Sequence, residues 1–496
     1  MFPGGNPLLA TPQKVDALLQ KLRAYIVWLC GRYNVEFMTL GEFDNCTTGQ
    51  YAANPDASHI HGRKPMTASS SPTPLPERLP HIAVILLWYP LFTQPFIFRD
   101  VESLRSRLPV SVITLYGRNL RHCSEEMKEA ARDVHTMGTA ALPSILASFF
   151  ITLCRHPLRL LHTAGKSLLY RWKSLETFGE NLWAFLCGVH LARTLKEAGI
   201  DICYAPWPRG TTTAARTVFL LEGIPFATSA RGDNLNPADP DLVDKLNDAL
   251  FIRTNNAADA RRITGLAPAC ADRLRLVYNS LSLEVDSTAQ VPMQPPVRLL
   301  AVGRFDITKG FDILLKACGI LKERGRSFRL TLAGGGGTAL GLGHMTQTIL
   351  DLRKQLGLEE LVDLPGIVSH DQLPDLIRSH DIFLAPCVIH ESGRRDGIPN
   401  TVIEAMSFGL PVIATNINAL PEIVRDGETG LLIPQKDPTA LAGAICRLMD
   451  NPEEARALGR RGAAFAADMF SPEKNGDRLA ALFTESFHRR NPECAE

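Results

Sequence analysis

No C-x-x-C pair occurs in this chain of 496 residues, and its 11 cysteines are scattered and odd in number. That argues against a zinc ribbon or a disulfide framework and fits a reducing compartment, with the thiols acting as small buried hydrophobes. Excess charge is also missing. With 53 Lys and Arg against 52 Asp and Glu, the net charge is +1, so no bulk attraction to a polyanion is expected and no nucleic-acid partner is implied. Long apolar runs are absent too: "AALPSILASFFITLC" (140–154) falls short of the roughly 20 residues that a spanning helix needs. The opening "MFPGGNPLLATPQKV" turns polar too early for a secretory leader, so a cytoplasmic location is expected. Acids are missing from 134–175, which nevertheless carries Arg155, Arg159, Lys166, Arg171 and Lys173 among leucines and aromatics. Such a stretch suits an anionic membrane surface, and equally an ordinary helical pair packed on a sheet. Peripheral contact through 142–173 is therefore one expectation.

What is present is an alternation of strands and helices. Residues 1–45 hold one amphipathic helix pattern and one strand pattern, too little for a domain, and 46–80 includes the Ser/Pro-rich "TASSSPTPLPERLP", a linker by composition. From His81 come "HIAVILLWYP", "VSVITLYG", "GIDICYAP", "PFATSA", "ALFIRTN" and "RLRLVYNS", with helical spacing between most of them. A Pro-rich break covers 286–296. A second series then runs "VRLLAVG", "FRLTLAG", "LVDLPG", "DIFLAP", "PVIAT", "GLLIP", and the end "SPEKNGDRLAALFTESFHRR" reads as a capped helix. The pattern predicts an α/β protein with two doubly wound sheets, 81–285 and 297–470, joined by a hinge, with 471–496 as a closing helix. Ligands in such sheets bind at the carboxyl ends of the strands.

Two constellations fall at such ends. In "GRFDITKGFDILLKA", Arg304 and Lys309 follow a strand and its Gly303. A guanidinium fork and an ammonium suit a diphosphate, although surface charge is the commoner reason for Lys and Arg. In "DGIPNTVIEAM", Asp396 lies in a loop, Gly397, Ile398 and Pro399 lead into a helix, and Glu404 sits about one turn inside it. The free N–H groups of Asn400 and Thr401 at the helix mouth suit phosphate oxygens, and carboxylates suit sugar hydroxyls; a plain helix cap is the alternative. "AGGGGTAL" gives Gly334, Gly336 and Ala339 the G-x-G-x-x-A spacing, with Asp363 downstream, a weak dinucleotide fingerprint that leaves an NAD-dependent oxidoreductase as a distant reading. Asp239-Pro240-Asp241 is a D-x-D at the start of a helix pattern, where a cap is commoner than a metal ligand.

Taken together, these stretches resemble glycosyltransferase family 4. "GRFDITKGFDILLKA" is similar to its G-R-x-x-x-x-K-G signature. "DGIPNTVIEAM" is similar to its acid–seven residues–acid signature, with Asp396 where Glu is commoner. "GLPVIATNINALPEIVRDGETGLLIP" continues the likeness. "YPLFTQPFIFRDVESL" resembles the opening of the exopolysaccharide and lipopolysaccharide subgroup, which places Thr93 to Phe96 against the donor phosphates and acceptor. In "TSARGDN", Arg231 takes the place of a His that many members have, so no role is assigned to a His. Residues 1–45 resemble the tail of a polysaccharide deacetylase. The resemblance implies a GT-B fold, two Rossmann-like domains facing across a cleft, and a retaining transfer of a hexose from a nucleotide-diphosphate sugar. It implies Arg304 and Lys309 on the leaving diphosphate, Asp396 on the sugar hydroxyls and Glu404 on the ribose or reacting region. Gly303, Gly397, Ile398, Pro399, Asn400, Thr401, Thr93 and Arg231 would line the donor, with no metal and no further cofactor. The acceptor implied is a glycan or a polyprenyl-linked sugar in cell-surface polysaccharide synthesis. Arg231 and Asp396, as departures from the pattern, keep open an inactive GT-B scaffold.

Overall fold

The computed structural model describes residues 78–494 except 92–93, 121–122, 171, 173, 233–234, 236–237, 281–292, 337–342 and 370. The deacetylase-like segment 1–45, the linker up to 77, Thr93, and Ala339 of the glycine-rich loop lie outside the described residues.

Two parallel sheets carry the fold. The first holds β1 (Ile82–Trp88), β2 (Val110–Gly117), β3 (Val134–Thr136), β4 (Ile202–Ala205), β5 (Phe226–Ser229), β6 (Ile252–Thr254) and β7 (Leu274–Leu276), in the order β3-β2-β1-β4-β5-β6-β7. The second holds β8 (Val297–Val302), β9 (Phe328–Ala333), β10 (Val362–Asp363), β11 (Ile382–Ala385), β12 (Val412–Thr415) and β13 (Leu431–Ile433), in the order β10-β9-β8-β11-β12-β13. Every strand pair is parallel. In each sheet the order reverses beside the first strand, which opens a crevice at the carboxyl ends.

The apolar runs explain the layers. Successive side chains of a strand face opposite sides. In β1, Ala83 and Ile85 pack with the helices Leu175–Glu197 and Gly210–Glu222, whereas Ile82, Val84 and Leu86 pack with Phe98, Val101 and Phe483. A run buried on both faces belongs in a parallel sheet between helices. The strand β3 is one that the sequence pattern does not announce. Of its three residues only Val134 is buried, so it offers no apolar run.

The chain's last helix, Pro472–Arg490, crosses back to the first sheet's helical layer. Ser471 Oγ caps it at Lys474 N, 3.2 Å away. Phe483 sits 5.3 Å from Tyr204 and 5.0 Å from Phe251, ring centre to ring centre, and Arg107 meets Asp477 at 2.7 Å. The helix Pro95–Arg105 is pinned from its inner side by Asp100, which pairs with the fully buried Arg253 of β6. That guanidinium also donates to the carbonyls of Val277 (3.1 Å) and Tyr278 (2.9 Å), so the buried charge is satisfied on several sides.

Candidate active site

The carboxyl end of β8 delivers Gly303 and Arg304. The 3-10 turn Ile307–Lys309 follows, and the helix Phe311–Glu323 starts after Gly310. Asp306 builds this turn. Its Oδ1 accepts from Thr308 N and Thr308 Oγ1, both at 3.0 Å, and its Oδ2 accepts from Arg394 at 3.0 Å. Burial would raise the Asp306 pKa, but the Thr308 N–H and the Arg394 guanidinium outweigh it and hold the carboxyl below its ordinary range. Asp306 therefore ties the β8 loop to the loop that carries Asp396.

Gly310 closes the turn at φ +64°, and a Cβ there would lie 2.0 Å from the Pro386 carbonyl oxygen. Both the left-handed backbone and the close approach demand glycine. Gly310→Ala is expected to destabilise the protein by roughly 3 kcal/mol and to displace Lys309. Thermal unfolding checks this, and an unchanged midpoint would contradict it. Gly334, at the end of β9, is explained in the same way: a Cβ there would lie 1.8 Å from the Gly303 carbonyl oxygen.

The second element is the loop after β11. Asn418, itself at φ +46°, donates from its side chain to the Asp396 carbonyl. Asn tolerates that backbone better than most residues. Lys309 Nζ lies 2.9 Å from Asp396 Oδ2 as an ion pair, with both side chains largely buried. Burial alone would lower the Lys309 pKa, but the Asp396 carboxylate outweighs it and keeps the ammonium charged. Arg304 is exposed and has no ion-pair partner among the described residues.

Pro399 sits at the N-cap of the helix Asn400–Ser407. First-turn N–H groups have no partner within the helix, so those of Asn400 and Thr401 are open to an anion. Ile398, Val402, Ile403 and Met406 are buried, which fixes the helix on the sheet. Thr401 Oγ1 donates to the Val302 carbonyl at 3.3 Å, so its hydroxyl seats the helix on β8. Glu404 is one turn in. Its Oε2 is sealed from solvent with no hydrogen-bond partner, and burial pushes its pKa up to about 7. A buried carboxylate acceptor without a donor is costly unless something supplies one.

The first sheet contributes the facing wall. Arg231 is only 4% exposed and forms no ion pair among the described residues. Its guanidinium lies 5.0 Å from the ring centres of Phe96 and of Trp207, and it donates to Asn279 Oδ1 at 2.8 Å. Burial, with Arg253 nearby, lowers its pKa to about 10. Asn279 Nδ2 in turn donates to Asn400 Oδ1 at 3.3 Å. A Cβ on Gly232 would come 3.8 Å from Gly397 N, and Glu422 accepts from the N–H groups of Ala257 and Ala258, each at 2.8 Å. The carboxyl ends of the two sheets thus meet through these contacts.

Gly303, Lys309, Asp396, Gly397, Pro399, Asn400, Thr401 and Glu404 gather around the β8 end and the helix mouth, with Ile398 buried beneath them and Arg231 opposite. Asp306, Arg394, Asn279, Asn418 and Glu422 were missed by sequence reasoning. Only Asp306 had a local signal, the D-x-T turn. The D-x-D acids are engaged elsewhere: Asp239 meets Arg209 at 3.2 Å, and Asp241 meets Lys245 at 2.6 Å. Asp241 occupies the N-cap position of Leu242–Asp248 but its side chain does not cap it.

Comparison with known proteins bears on the same region. Residues 288–465 match the family described as "Glycosyl transferases group 1". The chain is 33% identical over 189 residues (38% of this chain, 45% of the relative) to WcaL of Escherichia coli strain K12, provisionally named a colanic acid biosynthesis glycosyltransferase. It is 32% identical over 156 residues (32% and 37%) to the amylovoran biosynthesis glycosyltransferase AmsK of Erwinia amylovora. The chain thus spans less than half the length of these curated relatives. Among solved structures, Anabaena HepE in complex with UDP superposes with a TM-score of 0.61 at 15% identity, over 82% of this chain and all of that one. Sucrose-phosphate synthase of Thermosynechococcus elongatus gives 0.63 at 18% identity, with the same coverage. The fold is GT-B.

Proposed function

We propose that the chain is a retaining glycosyltransferase. It moves a hexose from a nucleotide-diphosphate sugar to a glycan or polyprenyl-linked acceptor in cell-surface polysaccharide synthesis, at the cytoplasmic face of a membrane. The observation that carries this reading is the convergence of the Lys309–Asp396 pair, the helix mouth at Asn400 and the unpartnered Glu404 carboxylate around one strand end. The names of the relatives and the UDP held by HepE support it.

Each group has work that its geometry suits. The helix N–H groups and Arg304 take the diphosphate oxygens, and Lys309 shares its charge between Asp396 and the leaving phosphate. Negative charge grows on that phosphate as the sugar–oxygen bond breaks, so fixed positive groups favour the transition state over the ground state. Asp396 accepts from the donor sugar's hydroxyls. Glu404 accepts from paired hydroxyls such as those of a ribose, which supply the donors its Oε2 lacks. Two cations and a helix mouth neutralise the diphosphate without a metal.

Calorimetry with UDP, GDP and dTDP tests the reading. One of them should bind, and Arg304→Ala should weaken it by roughly 10- to 100-fold, the worth of one charge-assisted contact. Arg304 is exposed, so the variant should keep its fold. Failure of every nucleotide to bind would favour the scaffold reading.

A further inference from the structure

The helices Leu142–Arg155 and Pro157–Leu168 meet at His156 with a bend of 120°. Their inner faces are anchored. Ile145 and Leu160 are buried, Ser148 meets His190 at 2.8 Å, and Arg216 donates to the Lys166 carbonyl at 2.7 Å. The outer face is therefore presented by a fixed element.

That face is unusually apolar. Leu146 and Phe150, one turn apart, are exposed on the first helix, and Phe150 is 59% exposed. On the second helix Leu158 and Leu161 are 82% and 62% exposed. Every residue from Cys154 to Arg159 is exposed, so the corner stands clear of the sheet. Around it, Arg155, Arg159 and Lys166 have no ion-pair partner among the described residues. Glu197 and Glu222, which line the same hollow as Arg155 and Arg159, are committed to Arg193 at 2.7 Å and Lys196 at 2.6 Å, and Asp244 and Asp248, on the Lys166 side, are held by Tyr170 at 2.6 Å and Arg216 at 2.7 Å. No Asp or Glu occurs from 134 to 175.

We propose that this corner is a docking surface for an anionic phospholipid bilayer. Phe150, Leu158 and Leu161 enter the headgroup–acyl boundary, and Arg155, Arg159 and Lys166 take lipid phosphates. Apolar side chains flanked by unpaired cations are what an in-plane interfacial element needs. A second copy of the chain fits less well, because a two-fold contact would bring these arginines against each other with no acid between them. Among the described residues no single helix is long and apolar enough to cross a membrane. The inference goes beyond the transferase reading and does not require it.

The test is co-sedimentation of the full chain with phosphatidylcholine vesicles with and without phosphatidylglycerol. The wild type should pellet with the anionic vesicles. Leu158→Asp with Leu161→Asp should bind at least about tenfold less, and replacing Arg155, Arg159 and Lys166 by Gln roughly a hundredfold less. The Gln variant changes only exposed groups and so guards against misfolding. Nucleotide affinity should stay unchanged in both, which separates this surface from the cleft. Wild type that stays in the supernatant, or variants that pellet as well as it does, would overturn the proposal. So would variants that turn a dimer into a monomer by light scattering with vesicle binding intact.

Discussion

Glu404→Gln should make the protein more stable and nearly inactive. The Glu404 pKa is raised from 4.5 to about 7 by burial. Between those pH values the folded protein holds a proton that the unfolded chain has released. The stability this group contributes is fully present below pH 4.5 and is lost as pH rises to about 7, roughly 3 kcal/mol in all. Gln is neutral throughout, so the variant should lack this slope and unfold at higher temperature above pH 7. Activity should move the other way. If the carboxylate accepts two hydroxyls of the donor, exchanging it for an amide, which has one acceptor atom, should lower kcat/KM about a thousandfold. Donor affinity in the wild type should rise as Glu404 ionises and should be flat in the variant. Thermal unfolding and calorimetry across this pH range check both halves. A variant with wild-type turnover, or one that melts lower at every pH, would remove Glu404 from the donor site.

A gain in stability with a loss of function is the signature of a group kept at a cost for its ligand. The neighbouring groups show no such signature. Ile398 and Thr401 secure the helix to the sheet, through the core and the Val302 carbonyl respectively. Asp306 is satisfied by three donors within the free protein. Around the β8 end, the exposed Arg304, the open helix mouth and Glu404 have unfilled capacity, so mutational effects on binding should be large there.

The parts of this site legible in sequence are those packed into contiguous motifs. β8 and β11 announce themselves because both faces are buried, and Gly303, Arg304 and Lys309 follow β8 within a few residues. Asp396 and Glu404 share one loop and helix. What could not be read is whatever one segment does to a distant one. Asn279 meets Asn400 across 121 positions, and Asp306 meets Arg394 across 88. Spacing carries no trace of such pairs. The resemblance puts Arg231 among the residues lining the donor, but only the fold places it between Phe96 and Trp207. β3 escaped for another reason: one buried residue in three is no pattern, and the strand exists because β2 presents an edge to pair with.

The Lys309–Asp396 pair should behave as one unit in stability and as two necessary parts in activity. Lys309→Ala leaves the Asp396 carboxylate, 18% exposed, without its cation 2.9 Å away. Stranding one member of such a pair should cost about 3 kcal/mol. Asp396→Ala strands the ammonium in turn. The double variant strands neither, so its stability should recover to well above the sum of the singles, a coupling of roughly 2 kcal/mol. Turnover should not recover. Lys309 is asked to meet charge that develops on the leaving phosphate, and losing such a preorganised group costs on the order of a hundred- to a thousandfold. Asp396 is asked to hold the sugar that leaves it. The double variant should therefore be as inactive as the worse single while melting close to the wild type. Unfolding midpoints and single-turnover rates for the four proteins separate the alternatives. If turnover in the double variant returned along with its stability, the pair would be a structural tie between two loops. The diphosphate would then have to be neutralised by Arg304 and the helix mouth alone.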